Sequence, residues 1–197
     1  TKADEFKGTP VIAGSIGIHA LIDSLIREGK LDVSAIQGKW ETYKIEVVEN
    51  PVAGIQQALV VVGSDKRGTI YGMFHISEQM GVSPWVYWAD VNPARQQTVS
   101  FRYSQIEKVS KEPSVKYRGI FLNDEEPSLG TWVNNFFKEE KGGKFNEKFY
   151  EKVFQLILRL KGNYLWPAMW NSSFGADGSE SADASAKLAD TYGVVMG

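Results

Sequence analysis

Apolar positions in the first hundred residues switch between two periods. Val11–Gly14 is a short apolar run of strand type. Leu21, Ile22, Leu25 and Ile26 then recur at helical spacing over Ala20–Glu28, with Gly29 as the stop. Tyr43–Glu49 and Ala58–Gly63 read as strands, Gly68–Met80 as a helix closed by Gly81, and Thr98–Tyr103 alternates as a further strand. Together they predict a mixed sheet with helices on one face, an N-terminal α+β domain over residues 1–112. Ser104–Ser114 is polar and charged and contains Pro113 near its end, which reads as a linker.

From residue 113 onward the order becomes regular. Tyr117–Leu122 is a strand. Asn146 caps a helix whose apolar positions are Phe149, Val153, Leu156, Ile157 and Leu160, stopped by Gly162. Asn163–Trp170 is the next strand, Ser181–Tyr192 a small-residue helix ended by Gly193, and Val194–Gly197 opens a third strand. Strand and helix in strict alternation imply right-handed crossovers and a parallel sheet. The fold class is therefore α/β: an α+β domain, then, over 113–197, the first strands of a (β/α)₈ barrel. A full barrel takes about 250 residues, so the chain is expected to be the front of a larger enzyme.

Composition narrows the function classes. The chain carries 22 basic and 24 acidic residues, a net charge of −2, which offers no broad basic field for nucleic acid. No segment approaches the ~20 apolar residues of a membrane span, and Thr1–Pro10 has no apolar signal-peptide core. With no cysteine, a disulfide scaffold and a thiolate site are excluded. His19 and His75 stand in unrelated contexts and read as structural, so a His-rich metal site is not expected.

Candidate chemistry gathers behind the barrel strands, where parallel α/β folds place their sites. Asn123, Asp124, Glu125 and Glu126 follow the first strand; if extended backbone persists, Arg118 falls on the parity of Asp124 and pairs with it at depth. The competing reading is a solvated or capping acidic loop. After the second strand come Trp166, Trp170 and Asn171. Aromatic faces beside amides and carboxylates suit a sugar, whose C–H faces stack and whose hydroxyls hydrogen-bond; core packing is the alternative, above all for Trp166. Val11–Gly17 lacks the third glycine of a dinucleotide loop and reads as a tight βα turn. In Gly63–Gly68, Ser64 or Asp65 caps a helix, which puts Lys66 and Arg67 at its positive end. Two cations there call for an acidic partner, either on the neighbouring domain or on an anionic substrate. Ser83–Asp90 reads as an aromatic packing loop.

Three long ordered stretches carry a resemblance: Gly63–Val91, Lys116–Pro127 and Lys161–Trp170, with Leu188–Gly197 last. In these the chain is similar to the N-terminal part of the family 115 glycoside hydrolases, the xylan α-1,2-glucuronidases. That resemblance implies removal of glucuronic acid or its 4-O-methyl form from glucuronoxylan or its oligosaccharides, with inversion, no metal and no other cofactor. It implies a secreted or periplasmic enzyme acting on a polymer, without nucleic-acid or membrane partners, and leaves room for a homodimer formed outside these residues. Its principal acid and base are expected beyond Gly197, so the 197 residues alone are expected to be inactive. Asn123, Asp124, Glu125, Trp166, Trp170 and Asn171 are then substrate-binding, with Arg118, Arg67 and Lys66 in support. A hexosaminidase-like enzyme and a non-catalytic carbohydrate-binding fragment remain alternatives.

Overall fold

A computed structural model of the chain describes residues 8–137, 145–167, 169–175 and 181–197. It divides into two units, Thr1–Ser114 and Val115–Gly197. The first contains β1 (Val11–Ser15), α1 (Ala20–Arg27), β2 (Tyr43–Val52), β3 (Ile55–Gly63), α2 (Lys66–Gln79), α3 (Tyr103–Ile106) and β4 (Lys108–Val109). Its sheet runs β1-β3-β2-β4, with β1 parallel to β3 and the other pairs antiparallel.

The central strand explains the layers. Ala58, Val60 and Val62 turn to one face and pack with Ile22 and Leu25 of α1 and with Leu31, Val33 and Ile36. Val61 turns to the other, where Gly72 of α2 comes so close that a Cβ would lie 2.5 Å from a Val61 methyl. Helices therefore cover both faces, which corrects the one-face expectation. A continuous apolar run such as Ala58–Gly63 is what burial on both sides requires.

Two further expectations are corrected at the end of this unit. Residues 98–102 form no strand; they are largely exposed, and Arg102 instead caps α3, which begins at Tyr103. The expected linker instead supplies β4, whose Val109 and Lys108 pair with Lys44 and Ile45 of β2. Ile106 is buried, the Ser110 hydroxyl accepts from the Tyr43 amide (2.8 Å), and the Ser110 amide donates to the Tyr43 carbonyl (2.9 Å). Closing the edge of β2 needs main-chain groups, which polar residues provide as well as apolar ones.

The second unit contains β5 (Gly119–Phe121), α4 (Leu129–Phe136), α5 (Glu147–Arg159), β6 (Tyr164–Trp166), α6 (Ala184–Tyr192) and β7 (Val195–Met196), with the three strands parallel in the order β5-β6-β7. The Asn146 side chain accepts from the Phe149 amide (3.1 Å) and starts α5, which buries Phe149, Tyr150, Val153, Phe154 and Leu156–Leu158. The helix leaves through Lys161, at φ 61°, one residue before Gly162. Helix α4 was not expected. Strand β6 stops before Pro167, and Ala168 of the expected longer strand lies outside the described residues, as do residues 176–180.

Helices α5 and α6 are tied by a polar contact. The Tyr192 hydroxyl donates to a Glu151 carboxylate oxygen (2.8 Å) and accepts weakly from the Gln155 amide (3.4 Å). The Tyr192 hydroxyl, helped by Lys152 and opposed by burial, holds the Glu151 carboxyl below its ordinary value. A depressed carboxylate adds stability above its unfolded pKa, near ~4.3, and that stability is lost as pH falls through the lower folded value. Tyr192→Phe should therefore cost about 1 kcal/mol at neutral pH, reduced by the exposure of Glu151. In denaturant melts the gap between variant and parent should shrink as pH drops below ~4; an equal gap at every pH would assign the loss to packing.

Candidate functional site

The polar runs behind β5 and β6 meet. Asn123 turns the chain out of β5 by accepting from the Glu125 amide (3.1 Å), an Asx turn. This leaves Asn123 and Glu125 exposed and carries Asp124 inward to full burial. Its carboxylate accepts from two successive amides of the loop after β6, Trp170 (3.3 Å) and Asn171 (2.6 Å). The Asn171 side-chain amide donates back to the Asp124 carbonyl (3.4 Å). Three of the expected site residues, 46 and 47 positions apart in sequence, are thus joined at the carboxyl ends of two neighbouring parallel strands.

The flanking groups shape this rim. Glu126 accepts from the Thr131 hydroxyl, fixing the start of α4. Gly130 lets that helix lie against the acidic loop, since a Cβ there would fall 2.9 Å from the Asp124 carbonyl oxygen. Trp166 is 48% exposed and meets Phe121, its register partner on β5, edge to face at 5.4 Å. Trp170 is 68% exposed. Phe121 escaped the sequence reading, because its register with Trp166 shows only once the strands are paired. Among the described residues no group of three His, Asp or Glu side chains is gathered for a metal ion.

Of the three supporting cations, Arg118 belongs to the same unit as the rim, and Lys66 and Arg67 belong to the first unit. Arg118 precedes β5 and directs its guanidinium to the carbonyls of Lys161 (3.1 and 3.0 Å), Val115 (2.8 Å) and Lys116 (3.2 Å). The expected pairing with Asp124 is corrected, because the amides of Trp170 and Asn171 take the Asp124 carboxylate. Arg67 pairs with Glu41 of its own unit (2.5 Å), a carboxylate with no side-chain exposure. The sequence expectation named neither this acid nor its place in the same unit. Lys66 opens α2 and is exposed. Asp65 is the N-cap and accepts from the Gly68 amide (2.8 Å). His75 sits against the Tyr43 ring in the first unit, 6.0 Å between centroids, as a structural histidine would.

Comparison with known proteins gives this rim a context. Residues 110–197, which contain all of it, match the model of glycosyl hydrolase family 115. Among solved structures, a family GH115 4-O-methyl-α-glucuronidase with specificity for decorated arabinogalactans is 34% identical, with a TM-score of 0.75. The match covers 94% of this chain and 23% of that one, so the chain spans about a quarter of its relative's length. No curated protein matches. With the sequence of the rim-bearing unit matched by the family model and nearly the whole chain superposable on a family member, the chain belongs to glycosyl hydrolase family 115.

Proposed function

We propose that the whole protein is an inverting α-glucuronidase, which removes glucuronic acid or its 4-O-methyl form from a decorated plant polysaccharide. In this reading residues 113–197 are the first strands of a (β/α)₈ barrel and the preceding unit is an accessory domain. The observation that carries it is the junction of Asp124 with Trp170 and Asn171, at the strand ends where barrel enzymes keep their substrates. Support comes also from the 4-O-methyl-α-glucuronidase activity of the solved relative. That relative is specific for decorated arabinogalactans, whereas the family resemblance points to xylan.

Inversion needs a protonated acid at the leaving oxygen and a base holding water on the opposite face, roughly 6.5–9.5 Å apart. Asp124 suits neither role, because main-chain donors already meet both of its oxygens. Exposed Glu125 is the carboxylate of this rim open to sugar hydroxyls, and Trp166 and Trp170 are the rings open to a sugar face. A polymer substrate suits a secreted or periplasmic enzyme. The test is to incubate the whole protein with 4-O-methylglucuronoxylan and with glucuronate-decorated arabinogalactan and to follow the product by NMR. Free uronic acid released first as the β-anomer is expected from one or both. Release of a neutral or N-acetylated sugar, or of none, would defeat the proposal.

A further inference from the structure

Packing covers less than half of Trp170. Its side chain is largely exposed, and the next apolar residue, Phe174, packs away from it on the Tyr150 ring. What fixes the main chain at Trp170 is the Asp124 carboxylate. Two successive amides form a concavity suited to an anion, and a fully buried carboxylate from the neighbouring strand end fills it. The bond to the Asn171 amide is short, as charge-assisted bonds are, and the Asn171 side chain returns a bond to the Asp124 carbonyl. The contact is therefore reciprocal, and neither oxygen of Asp124 is turned to solvent.

We propose that Asp124 is a positioning residue, acting on the sugar through Trp170 and Asn171 rather than by touching it. The idea rests on reading the rim as a sugar site, and assigns to Trp170 the stacking surface and to Asp124 the placement of that surface. It separates two adjacent acids with different tasks: Glu125 outward toward ligand, Asp124 inward toward the loop.

The test uses the whole protein and 4-O-methylglucuronoxylan. Asp124→Ala should raise KM about tenfold or more while kcat stays within roughly threefold, and Asp124→Asn, which keeps one acceptor oxygen, should fall between it and the parent. In a Trp170→Ala background, adding Asp124→Ala should change KM by less than about twofold, because the surface it positions is already gone. A second arm needs no turnover. The difference in acrylamide quenching between parent and Trp170→Phe reports on Trp170, and the same difference measured in Asp124→Asn should be altered. Additive KM effects, a loss confined to kcat, or an unchanged Trp170 signal would each overturn the assignment. If Asp124→Ala does not fold, Asp124→Asn carries both arms. If the protein releases no uronic acid, the functional reading fails while the quenching arm still decides the positioning role.

Discussion

Replacing Gly68 by alanine should destabilise the first unit by about 3 kcal/mol or more and lower its melting temperature by roughly 10 °C. A Cβ at this position would fall 2.1 Å from the Thr42 carbonyl oxygen, 3.0 Å from its carbon and 3.2 Å from its nitrogen. All three are main-chain atoms, so no side chain can swing aside. Nor can the segment move as a whole. The Ser64 amide donates to that same Thr42 oxygen (2.9 Å), the Ser64 hydroxyl accepts from the Thr42 amide (3.0 Å), and Asp65 accepts from the Glu41 amide (2.8 Å). The Arg67–Glu41 pair closes the same joint. Gly29→Ala is the control: it stands at φ 70° with open space around a Cβ, so it should cost only about 1 kcal/mol of backbone strain. Equal losses for the two glycines in thermal melts would mean that the close approach to Thr42 yields.

That joint shows what a sequence conceals. The cap at Asp65 was legible because capping is local, and so was the demand of two cations for an acid at the positive end of a helix. The identity of the acid was not. Glu41 lies 26 residues upstream in an irregular stretch, at φ 54°, and no periodicity marks it. Strand β4 was equally hidden, since both its residues are exposed and its contribution is main-chain pairing. Helix α4 is different. Leu129, Trp132, Val133 and Phe136 stand at i, i+3, i+4 and i+7 behind Ser128, which is a complete helical signal. It was obscured by its shortness and by the acidic run just before it. The two-sided cover of β3 was also written in its unbroken apolar run.

For the candidate site, the sequence marked which residues sit at the strand ends, because polar groups directly after an apolar strand stand out. It could not tell inward from outward once the strand ended. Parity assumes continued extension, and the Asn123 turn cancels that assumption within two residues. Parity did set Asp124 apart from Asn123 and Glu125, but not which side faces inward, so both acids were assigned to the substrate although one is buried and the other exposed.

The other large effect expected is from Gly119→Ala, at the start of the strand that leads to this rim. Gly119 pairs in register with Tyr164, and a Cβ on it would lie 1.7 Å from the Tyr164 carbonyl oxygen and 2.4 Å from the carbonyl carbon. Separating β5 from β6 by a small shift is blocked just upstream. The Arg118 amide donates to the Asn163 side chain (2.9 Å), which itself donates to the Lys116 carbonyl (2.7 Å). The amides of Asn163 and Tyr164 both donate to the Arg118 carbonyl (2.7 and 3.1 Å), and the Arg118 guanidinium grips Lys161. Alanine must therefore break part of this lattice, at a cost of about 3 kcal/mol or more. Hydrogen exchange should show it as lost protection at the Leu122 amide, which donates to the Trp166 carbonyl, and at Gly197, which donates to Leu165. Because Asp124 follows β5 by three residues, the displacement should also reach the loop it holds. KM for 4-O-methylglucuronoxylan should then rise along with the loss of protection. Parent-like exchange at Leu122 and Gly197 would show that the two strands can open locally around a methyl group, and that the glycine is not what sets their approach.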